Sequence, residues 1–221
     1  KPKNDGEKFA MKKVAVIGYG GQGAWHCEQV LKSDVCELKG TYDIREVRND
    51  AAKQRDVFVY DSDEAVMADP DVDIVVVAVP NDSHEYLVKD ALKAGKNVIC
   101  EKPVEMSVAS VDRMIAAAKE AGKLFTVHQN RRWDVDFRAI KQIVESGEIG
   151  KPLCIESRIH GSRGIPSDWR CEKEHGGGMI FDWGVHLIDQ MLQIYKQKIT
   201  SLYCRCSHIT NKEDDDGFKL D

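Results

Sequence analysis

Gly18-Tyr19-Gly20-Gly21-Gln22-Gly23 carries the spacing GxGxxG. It follows the β-branched run Val14-Ala15-Val16-Ile17 and opens a stretch with helical patterning, the setting in which this spacing receives a dinucleotide pyrophosphate. Without that strand and helix it would be an ordinary glycine turn. In that setting Gly18 permits a tight turn, Gly20 lets the backbone approach a phosphate, and Gly23 lets the helix pack on the sheet. Gly21 and Gln22 fall in the first helical turn, whose N–H groups and partial positive charge favour an anion. Asp43 ends the next apolar run, 20 residues past Gly23, where a carboxylate accepts bonds from the adenosine ribose and repels a 2′-phosphate. NAD is therefore the expected cofactor. Arg45, two residues on, is the feature that would admit NADP by swinging toward such a phosphate.

A second constellation lies far along the chain. At about 100° per residue, Asp182, His186, Asp189 and Gln193 fall on one helical stripe. Phe181, Val185, Ile188, Leu192 and Tyr195 flank it on one side, and Leu187, Met191 and Ile194 on the other. Periodicity leaves two readings open: the polar stripe faces a cleft, or it is a thin solvent edge. Gly176-Gly177-Gly178 just before it allows close approach to the backbone and tilts the choice toward a cleft. Asp182 and His186 also have the i, i+4 spacing of two metal ligands, but no third ligand stands at sensible spacing, so no metal is expected.

Certain elements must position these residues. Strand candidates are 14–18, 37–43, 57–60, 74–80, 97–101 and 124–129, alternating with helices over 22–33, 45–53, 62–68, 83–94 and 107–121. Ser83 and Ser107 are the expected N-caps of the last two helices, and Gly95 a C-cap. Tyr86, Leu87, Ala91 and Leu92 form the expected buried stripe of one; Val111, Met114, Ile115 and Ala118 form that of the other. Strands apolar on both faces and alternating with helices imply a doubly wound parallel sheet. Beyond it come a helix over Val135–Ser146, an alternating stretch over 153–160, a helix over 182–195 and a second alternating stretch over 200–209. The fold class expected is α/β: an N-terminal Rossmann sheet followed by an incomplete α+β domain with an open antiparallel sheet. Residues 1–12 read as a disordered lead-in, 13–133 as the dinucleotide-binding domain and 134–221 as a substrate and oligomerisation domain.

The chain's 221 residues, 42% hydrophobic and 31% charged, suffice for a real core. A net charge of -5 with scattered lysines and arginines speaks against a nucleic-acid partner. The aliphatic run at 74–79 is too short to span a bilayer. Seven cysteines without a CxxC pair suit a reducing, cytoplasmic setting.

At Glu101-Lys102-Pro103 the sequence begins to resemble the glucose–fructose oxidoreductase / inositol dehydrogenase (Gfo/Idh/MocA) family. Further matches are Ala78-Val79-Pro80-Asn81 with His84, Gln129-Asn130-Arg131-Arg132 and Gly147-Glu148-Ile149-Gly150-Lys151. The strongest is the run from Gly176 to Asp189, which fits GGGxxxDxGxHxxD. The resemblance implies that Lys102 hydrogen-bonds the hydroxyl being oxidised, that His186 accepts its proton and that Asp182 positions the substrate or His186. It places Pro80, Asn81, His84 and Glu101 near the cofactor, although His84 reads equally as a histidine packed on the sheet. Arg131 and Arg132 either reach the substrate or brace a domain junction, and Trp169 and Arg170 belong to a loop that folds over the substrate in similar enzymes. His128, His160, His175 and His208 are taken as structural.

The implied activity is hydride transfer between a sugar or polyol carbinol and the nicotinamide, in a cytoplasmic homodimer or homotetramer built through the C-terminal sheet. Alternatives within the family are an NAD-dependent glycosidase, a non-catalytic dinucleotide sensor or repressor, and a reductase of a dihydrodiol or biliverdin. The complete set Lys102, Asp182 and His186 weighs against the sensor. Similar proteins run on past the equivalent of Asp221, so the substrate domain is expected to be incomplete here, with an exposed strand edge.

Overall fold

The computed structural model describes residues 10–161, 168–211 and 213–221. The expected lead-in therefore lies largely outside the described residues. The chain forms two compact units: the first holds the residues up to Val79 and Ser83–Val127, the second Pro80–Asp82 and His128–Asp221.

The first unit alternates β1 (Lys12–Ile17), α1 (Gly21–Leu31), β2 (Cys36–Tyr42), α2 (Glu46–Lys53), α3 (Asp63–Ala68), β3 (Ile74–Val77), α4 (His84–Lys93), β4 (Asn97–Cys100), α5 (Val108–Ala121) and β5 (Phe125–Val127). All strand pairs are parallel and the order is β2-β1-β3-β4-β5. Strand parity divides the core. Ala15, Ile17, Val75 and Val77 face a cluster with Leu87, Leu92 and Met114, whereas Val14, Val16 and Val76 face one with Cys27 and Ala52. Both faces of the sheet are thus covered by helices, as continuous apolar strands require. The strand order reverses between β1 and β3, so their C-terminal ends form the switch point where such sheets bind ligands.

Some local expectations fail. The run 57–60 pairs with β2 through a single bridge, Thr41 with Val59, in which Thr41 N donates to Phe58 O and Tyr60 N to Thr41 O, each at 2.9 Å, and it forms no longer strand. Ser83 does not cap α4: it sits at the end of a 3-10 turn, Asn81–Ser83, with its backbone already helical. Ser107 does cap α5, accepting from Ser110 N at 3.2 Å. Tyr86 and Ile115 are exposed rather than buried.

The second unit contains α6 (Val135–Ser146), a π turn (Ile180–Gly184) running into α7 (Val185–Ile194), and the antiparallel pair β6 (Cys204–Ser207) and β7 (Gly217–Leu220). Residues 153–160 form no strand. Their alternation meets no partner among the described residues, and Leu153 is 97% exposed. The strand expected over 200–209 shrinks to the four residues that pair with β7. The helix expected from 182 begins earlier, as a π turn, where a side chain at Gly184 would press on the Phe218 ring. No helix among the described residues is long and apolar enough to cross a membrane, and all seven cysteines are free thiols.

Candidate functional site

The glycine-rich turn joins the end of β1 to α1. Gly18, at φ +95°, presses against the Ala78 carbonyl, and Gly23 against the Gly18 carbonyl, so neither position has room for a Cβ. Gly20 and Gly21 are different: a Cβ on Gly21 would meet nothing within 4 Å, and one on Gly20 would meet only an Arg45 guanidinium nitrogen, at 4.0 Å. Gly20 is the N-cap of α1 and offers no side-chain bond, which leaves the first-turn N–H groups of Gly21, Gln22 and Gly23 without the usual cap. Crowding below and open space above the helix terminus fit a phosphate-bearing dinucleotide.

Asp43 is 4% exposed and fastens this turn. Its Oδ2 accepts from Tyr19 N at 2.8 Å, and its Oδ1 accepts from Arg45 N at 2.9 Å and Arg45 Nε at 3.2 Å. Asn49 completes the corner, accepting from Asp43 N and donating to Asp43 O, each at 2.9 Å. Arg45 is thus tied back onto Asp43 while its guanidinium remains about half exposed.

Lys102 follows β4, at the carboxyl end of the sheet, and is half-buried. Its backbone N–H donates to Glu101 Oε2 at 3.2 Å, and the buried Glu101 meets buried His26 of α1 through Oε1 and Nε2 at 2.7 Å. His84 fastens the same segment from the other side. It is completely buried, with Nδ1 against the carbonyls of Pro103 (3.0 Å) and Val104 (3.2 Å) and Nε2 against that of Val79 (3.0 Å). Burial lowers its pKa from the ordinary histidine value, the carbonyl contacts opposing this only in part. Of the two readings of His84, this geometry matches the packed one: its ring nitrogens face backbone.

In the second unit, Asn81 is buried and donates from Nδ2 to Gly176 O at 2.9 Å; Pro80 beside it is half-buried. The polar stripe of α7 is not a solvent edge. His186 is 5% exposed and lies edge-on to Trp183 at 5.8 Å. Asp182, one turn earlier, is 3.7 Å from Arg170 Nε. Asp189 takes a two-pronged bond from Arg132, at 2.6 and 2.7 Å, and Gln193 meets Lys141 of α6 at 3.4 Å. Arg131 lies over the Trp183 ring at 4.2 Å and pairs with Asp134 at 3.1 Å, while its carbonyl accepts from Gln190 at 2.9 Å. Both arginines therefore brace this unit internally. Trp169 and Arg170 share a 3-10 turn, with Arg170 stacked 4.6 Å from the Trp169 ring and paired to Asp168 at 2.8 Å.

Two residues escape a reading of the sequence. His26 lies one turn beyond Gly23, and only its burial beside Glu101 marks it. Asp215 sits in an acidic run that reads as a solvated turn, yet it is 3% exposed and accepts from Ile180 N at 3.1 Å.

Residues 12–129 match the family described as "Oxidoreductase family, NAD-binding Rossmann fold", and residues 137–220 match the GFO/IDH/MocA C-terminal domain. Among curated relatives, the myo-inositol 2-dehydrogenase of Thermotoga maritima is 31% identical over 203 residues, covering 91% of this chain and 60% of the relative. The scyllo-inositol 2-dehydrogenase (NADP(+)) of Bacillus subtilis is 29% identical over 189 residues, covering 83% of this chain and 51% of the relative. The crystal structure of an NAD-binding protein from Listeria innocua superimposes with a TM-score of 0.92 at 45% identity, over 95% of this chain and 62% of that one. The chain thus spans less than two thirds of the length of each. With both halves matched in order, and with the nucleotide fold and the GGGxxxDxGxHxxD helix in place, the chain belongs to the Gfo/Idh/MocA family of NAD-binding oxidoreductases.

Proposed function

We propose that this chain takes part in NAD-dependent dehydrogenation of a carbinol carbon in an inositol, a sugar or a related polyol. The observation that carries the reading is the buried His186, one helical turn after Asp182 on a helix led by three glycines. The inositol dehydrogenases among the relatives support the substrate class. The bound nicotinamide would supply the hydride acceptor, and the rest is positioning and proton handling by the protein.

Gly20, Gly21 and the first turn of α1 would hold the pyrophosphate, and Asp43 the adenosine ribose. Lys102 would hydrogen-bond the reacting hydroxyl and hold its oxygen. His186 would take the hydroxyl proton, a task suited to a group whose unperturbed pKa is about 6.5. Asp182 would orient His186 or a neighbouring hydroxyl.

The test is a panel of inositols, sugars, polyols and glycosides incubated with NAD and the full-length protein, followed by NADH absorbance. Steady NADH formation with at least one inositol or polyol is expected. Glycoside cleavage without NADH release, or dinucleotide binding with no turnover of any member, would contradict the reading.

A further inference from the structure

The helix that carries Asp182 and His186 is held at its amino end by a side chain distant in sequence. Asp215 stands in the acidic turn between β6 and β7, 35 residues beyond the Ile180 N–H that it accepts at 3.1 Å. Its own carbonyl accepts from Met179 N at 3.1 Å, so one residue receives two consecutive backbone donors at the start of the π turn. Gly178, at φ +91°, lies directly against the Asp215 carboxylate, and any Cβ there would collide with Oδ1. The Gly178 carbonyl in turn accepts from Asp182 N at 3.0 Å.

We propose that Asp215 is a positioning residue for the Asp182–His186 pair, setting the start and direction of their helix through Ile180, Met179 and Gly178. The turn that presents it is itself built for this. Asp216 Oδ2 gathers the N–H of Thr210, the Thr210 hydroxyl at 3.0 Å and Asn211 N at 3.1 Å, and Asp216 N donates to Ser207 O at 2.9 Å. Asp214 Oδ1 accepts from Asp215 N at 2.9 Å. Behind the turn, the Phe218 ring of β7 packs on Gly184. A helix end anchored at several points transmits little slack to His186, six residues on and about 9 Å along the axis.

The anchor is held against a cost. Burial pushes the Asp215 carboxyl above its ordinary range, the Ile180 and Met179 N–H groups pull it back, and the neighbouring Asp214 charge pushes it up again. With a raised folded value, ionisation of this group removes stability as pH climbs from the ordinary carboxylate range through that value.

The inference rests on His186 being the proton acceptor, so its test has an arm independent of turnover. Asp215→Ala in the full-length protein is expected to lower kcat about 10- to 100-fold, the scale of an ångström-level misplacement, with NADH affinity within about twofold of wild type. Asp215→Asn keeps an oxygen for Ile180 N and is expected to recover most of the turnover with an equal or higher unfolding midpoint. Asp215→Ser, whose oxygen falls short of Ile180, replaces the alanine variant if the latter does not fold. The second arm reads the His186 imidazole 1H–15N signals, assigned by their loss in His186→Asn: they move in Asp215→Ala or Asp215→Ser and stay in place in Asp215→Asn. Unchanged signals and wild-type turnover in the shortened variants, or equal losses in the asparagine and alanine variants, overturn the proposal. If the wild type turns over no polyol, the dehydrogenase reading falls while the imidazole signals still decide the role of Asp215.

Discussion

Asp43 Oδ2 accepts the Tyr19 backbone N–H at 2.8 Å, so the carboxylate at the end of β2 holds the turn at the end of β1. The same group that would select the ribose also shapes the turn that would cradle the phosphates. Arg45, tied to Asp43 Oδ1, is thereby drawn toward the carboxylate and away from a free swing toward a 2′-phosphate.

NADH is accordingly expected to bind more tightly than NADPH. Asp43→Ala is expected to narrow that gap and also to weaken both cofactors, because it releases Tyr19 N and Arg45. Calorimetric titration of both cofactors against both proteins checks this. NADPH binding as tightly as NADH to the wild type would overturn the preference.

His84 makes stability depend on pH. Its folded pKa lies below the ordinary 6.5 because burial disfavours the charged ring. The unfolded chain therefore binds the proton first, and stability is lost as pH falls through about 6.5 toward the lower folded value. Replacing His84 by asparagine is expected to flatten this part of the stability profile while lowering stability overall by about 2 kcal/mol, the scale of carbonyls left without partners. Urea midpoints at about pH 7.5 and 5.5, either side of the histidine range, give the comparison. An identical pH dependence in both proteins would remove His84 from the account.

The Arg132–Asp189 fork tests whether part of the polar stripe is structural. Asp189→Ala is expected to reduce stability by about 1 kcal/mol, the upper range for a partly exposed ion pair, and to leave NADH affinity unchanged. Thermal unfolding with NADH titration measures both. A change in cofactor affinity without a change in stability would reverse the assignment.

Much of this molecule is visible in its amino-acid order, and the reasons are local. The runs at Val14 to Ile17 and Ile74 to Val77 are β-branched on both faces, which only a sheet covered on both sides accommodates. The spacing of Gly18 and Gly23 follows from two carbonyls that leave no room for a Cβ. The Asp182–His186 spacing is a property of a single helix. What the order of residues conceals depends on distant partners. The run at 153–160 alternates like a strand but meets no partner strand among the described residues. His26 looks like any helical histidine until β4 brings Glu101 to it, and Asp215 looks like a solvated turn until Ile180 arrives. Tyr86 falls on the buried stripe by spacing, yet it is 53% exposed.

The central claim is that Lys102 and His186 handle the proton of a hydroxyl whose carbon gives hydride to NAD. The most direct measurement is steady-state NADH formation from the best polyol of the panel by wild type, Lys102→Ala and His186→Ala, with NADH affinity measured alongside. Each variant is expected to lose about 10²-fold or more in kcat, as for a removed acid–base group, while NADH affinity stays near wild type. Turnover near the wild-type rate in either variant would remove that residue from the mechanism, and wild-type rates in both would contradict the claim outright.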